Sequence, residues 1–245
     1  MITLNDFFNE GTLNIFTDAS MNKYGTSGCI GICLVKGAID RRFPLLNIQT
    51  YTRVLKGCTV NQAEAEAIKE AVYLALQYRN KYNIQTIRII SDSQISIDNI
   101  RKRVATWKIK QQKGGTGHFV CSQGAVKNQD IFLEIMYTIV ENNLPIEFLH
   151  QMSHTNFTSP TSLTNAYTSF LRHNNIMDDV DMELIRAISF YNNYVDRNSR
   201  DVFYSTDLMN IRTVFPFSYN IYAGYDRSTY SRLVNPESIF RKRDF

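Results

Sequence analysis

The chain has 245 residues, 44% of them hydrophobic, and a formal net charge of +4. That is enough apolar mass for a sizeable core, as one large domain or one domain with an extension. The mildly basic balance suits a polyanionic partner without requiring one. Four cysteines (Cys29, Cys33, Cys58, Cys121) form no CxxC pair and no dense framework. They read as reduced thiols, in a cytoplasmic or nucleic-acid-containing reducing compartment. The opening MITLNDFFNEG has no basic stretch followed by an apolar core, so it does not read as a secretory signal. No apolar run approaches the ~18 residues of a membrane helix.

In chain order, Thr12–Asp18, Gly28–Lys36 and Ala38–Leu55 are rich in β-branched and aromatic residues and separated by glycine-containing turns. They predict three strands in an antiparallel meander. In VNQAEAEAIKEAVYLALQYRNKY, Ile68, Val72 and Leu76 recur at helical spacing, which predicts a helix from about Asn61 to Lys81. IQTIRIISD (84–92) is a further strand, and SQISIDNIRKRV (93–104) a helix. The basic, glycine-rich segment 107–128 reads as a loop, either a solvated face or a nucleic-acid contact. QDIFLEIMYTIVENN then gives an amphipathic helix and LPIEFLHQ a strand. Segment 155–175, dominated by Ser, Thr and Asn, reads as a long loop with at most one helical turn. A last helix is marked by Val180, Leu184, Ile188, Tyr191 and Val195, with Asp178, Asp179 and Asp181 at its start, where the helix dipole favours acids. Residues 204–245 are aromatic and arginine-rich with little periodicity. The order predicts an α/β fold, a mixed sheet with helices on its faces.

The first strand, in TLNIFTDAS, reads as stopping on a carboxylate, Asp18, and the strand after the first long helix ends likewise on Asp92. Alone, Asp18 is explained by a solvated turn. Adjacent strands ending together would bring the two acids close, with Glu64 in the first turn of the intervening helix and Asp196 on the late one. Converging carboxylates repel one another unless divalent cations sit among them. Mg²⁺ suits such an all-oxygen site and keeps waters for a phosphate substrate.

These residues resemble type 1 ribonuclease H. IFTDAS (15–20) is similar to the family's first-strand signature, with Asp18 as its first acid. TVNQAEAEAI (59–68) aligns without a gap to the pattern Thr-Asn-Asn-x-Ala-Glu-Tyr-x-Ala-Leu and selects Glu64 over Glu66. SDSQ (91–94) resembles Thr/Ser-Asp-Ser-Gln and supplies Asp92. VKNQDIF (126–132) resembles a segment that opens a later helix. MSH (152–154) resembles Lys-Gly-His, the loop carrying an auxiliary histidine, and NNYVD (192–196) the motif of the fourth acid. The likeness covers roughly residues 10–203. His154 and Asp196 stand much further apart than in the family, so Thr155–Phe190 reads as largely an insertion. The expected division is a catalytic domain over 1–203 and an extension over 204–245. Val60 stands where the family often has an Asn that contacts RNA.

The resemblance implies an RNase H-like fold with a mixed five-stranded sheet, three antiparallel strands then parallel ones. It implies an endonuclease that hydrolyses the RNA strand of RNA–DNA hybrids with two Mg²⁺ ions, Mn²⁺ as a substitute. Asp18, Glu64, Asp92 and Asp196 would hold the metals, with His154 assisting proton transfer or product release. Asn61, Gln94, Asn128, Trp107, Lys108, Lys110 and Lys113 would contact the hybrid through hydrogen bonds, stacking and phosphate pairing. Two alternatives remain: a DNA nuclease or junction resolvase of the same superfamily, and a non-catalytic binding module of a replication complex. The aromatic tail is a candidate surface for a protein partner.

Overall fold

The computed structural model describes residues 1–40, 44–45, 48–103, 108–111, 117–121, 124–156 and 158–203. The expected extension, 204–245, lies outside them. A short helix α1 (Leu4–Phe7), closed by a capping box between Thr3 and Asp6, leads into β1 (Thr12–Met21). β2 (Ser27–Lys36) and β3 (Ile48–Lys56) follow, then α2 (Val60–Lys81) and β4 (Thr86–Ser91). The sheet order is β3-β2-β1-β4 with a final strand, β8 (Ile146–His150), at the far edge. β3, β2 and β1 are antiparallel, whereas β1, β4 and β8 run parallel. This is the mixed five-stranded sheet expected from the resemblance. β3 begins ten residues later than the composition suggests, at Ile48.

The sheet separates two apolar layers. On one face Leu13, Ile15 and Ile89 meet α2 and the helix α4 (Gln129–Glu141) through Ile68, Val72, Ile131 and Ile135. On the other, Phe16, Ile90 and Leu149 meet α1, α5 (Pro160–Asn174) and α6 (Met182–Asp201) through Phe170, Leu184, Ile188 and Tyr191. Consecutive strand residues point to opposite faces, so Leu13 and Ile15 serve the first layer and Phe16 the second. Burial of this kind is the main favourable term in folding.

Three expectations are corrected. The helix expected over 93–104 is a short α3 (Gln94–Asp98) running into a π-helical turn, Asn99–Arg103. The segment read as a loop over 107–128 carries a small antiparallel sheet of β5 (Lys108–Gln111), β6 (Gly117–Cys121) and β7 (Gly124–Ala125).

The third correction concerns 155–175, which holds the fifteen-residue helix α5 instead of a loop. Its signals were present: Ser159 caps it, Pro160 opens it, and Leu163, Ala166, Phe170 and Asn174 are buried at helical spacing. Poor helix formers on the exposed side hid that stripe, and packing overrode them. Asn174 also bonds the edge strand: its Oδ1 accepts from the His150 amide at 2.8 Å, and its Nδ2 donates to the His150 carbonyl at 2.9 Å. α5 thus closes an edge of β8 that would otherwise expose unpaired backbone.

Candidate active site

Asp18 does not end its strand; β1 continues to Met21, paired with β2 throughout. What ends there is the other pairing. The β1–β4 ladder stops at Thr17 opposite Ser91, so Asp18 and Asp92 are the first residues past it on two neighbouring strands. Asp92 bonds back through its own carbonyl, which accepts from the Gln94 amide. Glu64 sits on α2 just beyond the first turn, not within it. The Ser93 hydroxyl donates to its carboxylate at 2.6 Å, tying α2 to the end of β4. Glu66, two residues on, points elsewhere and is engaged by Arg53 and Lys69.

Asp196 comes from α6, whose buried stripe of Tyr191, Val195 and Ser199 lies against β1 and β2. Its carboxylate is clamped by Arg200 one turn along and lies 3.4 Å from Nδ1 of His154. His154 stands in the left-handed region at φ 50° with its side chain 70% exposed. Of the acids at the start of α6, Asp181 caps the helix, accepting from the Glu183 amide at 3.0 Å.

The acids feel one another. Burial, reinforced by the charges of Asp196 and Glu64 and opposed by the Ser199 hydrogen bond, pushes Asp18 up to about 6. Burial, with the charges of Asp18, Glu64 and Asp196, pushes Asp92 up to about 7. Burial also raises Glu64, against the pull of Ser93. Carboxylates raised together hold a proton, or favour a cation, near neutral pH. Among the described residues, no group of three or more His, Cys, Asp or Glu is drawn tightly enough to form a ready-made metal cage. The donor set still fits hard divalent cations: all carboxylate oxygen, half-buried and mutually repelling.

Of the expected nucleic-acid contacts, Asn61 is exposed at the start of α2, and Gln94 opens α3 with a buried Oε1 that finds no hydrogen-bond partner among the described residues. Asn128 precedes α4 in the left-handed region (φ 55°), its side chain making no capping bond. The backbone of Lys108 and Lys110 lies in β5; Trp107 and Lys113 fall outside the described residues. Sequence reasoning missed Ser93 and Ser199, the two hydroxyls that bond the acids. Ser93 lies within the SDSQ motif, whose pattern could have marked it, whereas Ser199 stands in no motif.

The sheet order and its helical layers are those of an RNase H-like nuclease. The family model for RNase H matches residues 10–165. The chain belongs to the RNase H family and is a ribonuclease H-type nuclease, a hydrolase. The match spans Asp18, Glu64, Asp92 and His154 and stops before Asp196. No curated protein matches the chain. Among solved structures it is similar to LC11-RNase H1 in complex with RNA/DNA hybrid, at 16% identity and TM-score 0.41, covering 65% of this chain and 99% of that one. RNase H1 from the halophilic archaeon Halobacterium salinarum is 15% identical at TM-score 0.38, with 65% and 99% covered. The foamy viral protease-reverse transcriptase in complex with RNA/DNA hybrid is 15% identical at TM-score 0.42, with 76% of this chain and 21% of that one covered.

Among the described residues no helix is long and apolar enough to cross a membrane. Cys29, Cys33 and Cys58 are buried free thiols, and burial pushes Cys29 and Cys33 up to about 12.

Proposed function

We propose that this protein is an endonuclease that hydrolyses the RNA strand of RNA–DNA hybrids, with Asp18, Glu64, Asp92 and Asp196 holding two Mg²⁺ ions. The observation that carries this reading is the meeting of Asp18 and Asp92, the first residues past the β1–β4 ladder, with Glu64 tied to the end of β4 through Ser93, where burial and the neighbouring charges raise both aspartates. Mn²⁺ would substitute, as a divalent ion of similar ligand preference. When bound, the ions supply hydroxide near neutral pH and stabilise the departing 3′-oxygen.

The chain's own groups divide the remaining work. Asp18 would contribute to both metal positions, Asp196 to the one that supplies the attacking water, and Glu64 and Asp92 to the one that stabilises the leaving group. His154, exposed and beside Asp196, moves a proton or helps the product leave. Asn61, Gln94 and Asn128 meet the hybrid near the acids, and the basic segment with Trp107, Lys108, Lys110 and Lys113 meets phosphates further along. Residues 1–203 form the catalytic domain, 155–190 is an insertion within it, and 204–245 is an extension that docks a protein partner. The setting is a reducing compartment containing nucleic acid.

Cleavage of RNA–DNA hybrid, duplex DNA and single-stranded RNA with and without Mg²⁺ tests the reading. Mg²⁺-dependent cutting of the hybrid alone is expected. Preferential cutting of duplex DNA would replace it with a DNA nuclease, and binding without cutting with an adaptor.

A further inference from the structure

We propose that Ser199 is a positioning residue for Asp18, its hydroxyl fixing the orientation of that carboxylate for metal binding. The inference rests on reading Asp18 as a metal-holding acid. The Ser199 Oγ lies 2.9 Å from Asp18 Oδ2, 2.9 Å from the Asp196 carbonyl oxygen and 2.6 Å from Ser20 Oγ. One hydroxyl group thus touches the side chain of one acid and the backbone of another, on elements far apart in sequence.

The placement follows from commensurate repeats. Along β1, alternate residues Phe16, Asp18 and Ser20 share one face, spaced ~6.6 Å apart. Along α6, Tyr191, Val195 and Ser199 recur every ~6 Å. Tyr191 meets Phe16 with ring centroids 5.2 Å apart, and Ser199 meets Ser20, so helix and strand run alongside each other in step. A serine two helical turns past the aromatic contact is thereby delivered to Asp18.

Gly31 sets how close the helix comes. It pairs across the sheet with Asp18, and a Cβ there would lie 3.0 Å from both the Ser199 Cβ and the Val195 carbonyl oxygen. The absence of a side chain lets α6 seat directly on the strand pair.

Proton accounting leaves the arrangement coherent. A hydroxyl has one proton to give and two lone pairs to receive. Ser20 donates to Ser199, and Ser199 directs its one proton chiefly to Asp18, the charged and therefore stronger acceptor, sharing it with the Asp196 carbonyl. Oδ2 of Asp18 is then held by Ser199, in addition to the hydrogen bond the carboxylate takes from the Ala19 backbone. Outer hydrogen bonds of this kind tune ligand orientation, and their loss typically weakens metal binding by ~10- to 100-fold.

Calorimetric titration of the full chain with Mn²⁺, without substrate, tests this together with the Mg²⁺ dependence of hybrid cleavage. Ser199→Ala should weaken Mn²⁺ binding by ~10-fold or more and raise the half-saturating Mg²⁺ in step. Its kcat at saturating Mg²⁺ should stay within about twofold of wild type. Ser20→Ala, which removes only the outer donor, should shift both in the same direction by less. Unchanged Mn²⁺ affinity in Ser199→Ala, with binding lost in Asp18→Asn, would overturn the positioning role and leave the metal reading intact. A lower melting temperature and kcat without an affinity shift would equally overturn it. Undiminished Mn²⁺ binding in Asp18→Asn would remove the metal reading, and the inference with it.

Discussion

His154 Nδ1 lies 3.4 Å from Asp196 Oδ2, although all of α5 and most of α6 separate the two in sequence. The chain leaves β8, closes its edge with α5, and returns along β1 as α6, so the start and end of the excursion meet. A segment that packs in this way lengthens the sequence gap without lengthening the distance.

That contact sharpens the assignment of the fourth acid. Asp196→Asn should lower hybrid cleavage by at least ~10²-fold at saturating Mg²⁺, the scale on which loss of a transition-state-stabilising group acts. His154→Ala should retain measurable cleavage. Asp181→Asn, which keeps a competent helix cap, and Asp201→Asn should stay near wild type. Initial rates on a defined hybrid check all four, and near-normal cleavage by Asp196→Asn would exclude it as a ligand.

Glu64 and Glu66 give a second pair of opposed outcomes. Two residues apart on α2, they point roughly 200° apart around the helix. Glu64 is bonded by Ser93 at the end of β4, whereas Glu66 is paired with Arg53 and Lys69. Glu64→Gln should therefore be inactive with near-normal stability. Glu66→Gln should cleave normally and lose about 1 kcal/mol in urea unfolding, the upper range for such pairs. The reverse pattern of rates would show the alignment of 59–68 to be out of step.

Acid elevation predicts an unusual pH dependence in EDTA. Asp18 and Asp92 stand at about 6 and about 7 in the folded chain against 3.8 as model acids. Between those values the folded state binds more protons than the unfolded, so stability falls as pH rises from about 4 to about 7. His150, held down to about 4 from 6.5 chiefly by burial, acts in the opposite direction below 6.5. The difference between wild type and Asp92→Asn cancels His150 and isolates the acid. The variant should gain in melting temperature relative to wild type as pH rises to 8, and saturating Mg²⁺ should narrow that gap. A constant difference across pH 4 to 8 would contradict the elevation.

The closure of the β8 edge is testable by stability alone. Asn174→Ala removes the partners of both backbone groups of His150. Leaving buried polar groups unpaired costs about 1–3 kcal/mol each, and the C-terminal end of α5 would loosen with it. Chemical denaturation should show a loss of about 2–6 kcal/mol for the two groups together, with cleavage at low temperature largely retained. A loss within experimental error would mean that α5 is peripheral to the domain.

The sequence by itself determined the mixed sheet and nominated Asp18, Glu64 and Asp92 as acids of the site. Strand patterning, the alanine-rich repeat of α2 and the ungapped motifs around Asp18, Glu64 and Asp92 are local features, readable because periodicity and spacing are set within a few residues. It also selected Asp196 from its helical stripe, though nothing local could say that the stripe runs in step with β1. Tertiary structure decided the rest. Residues 155–175 became a helix because Leu163, Ala166 and Phe170 found a core to enter, against weak intrinsic propensity. Asp18 reached the sheet rim because β4 stops opposite Thr17 while β1 runs on, a fact of register between distant strands. Ser93 and Ser199 acquired their roles from what faces them across the fold, since a hydroxyl's partner is fixed by packing and not by its neighbours in the chain.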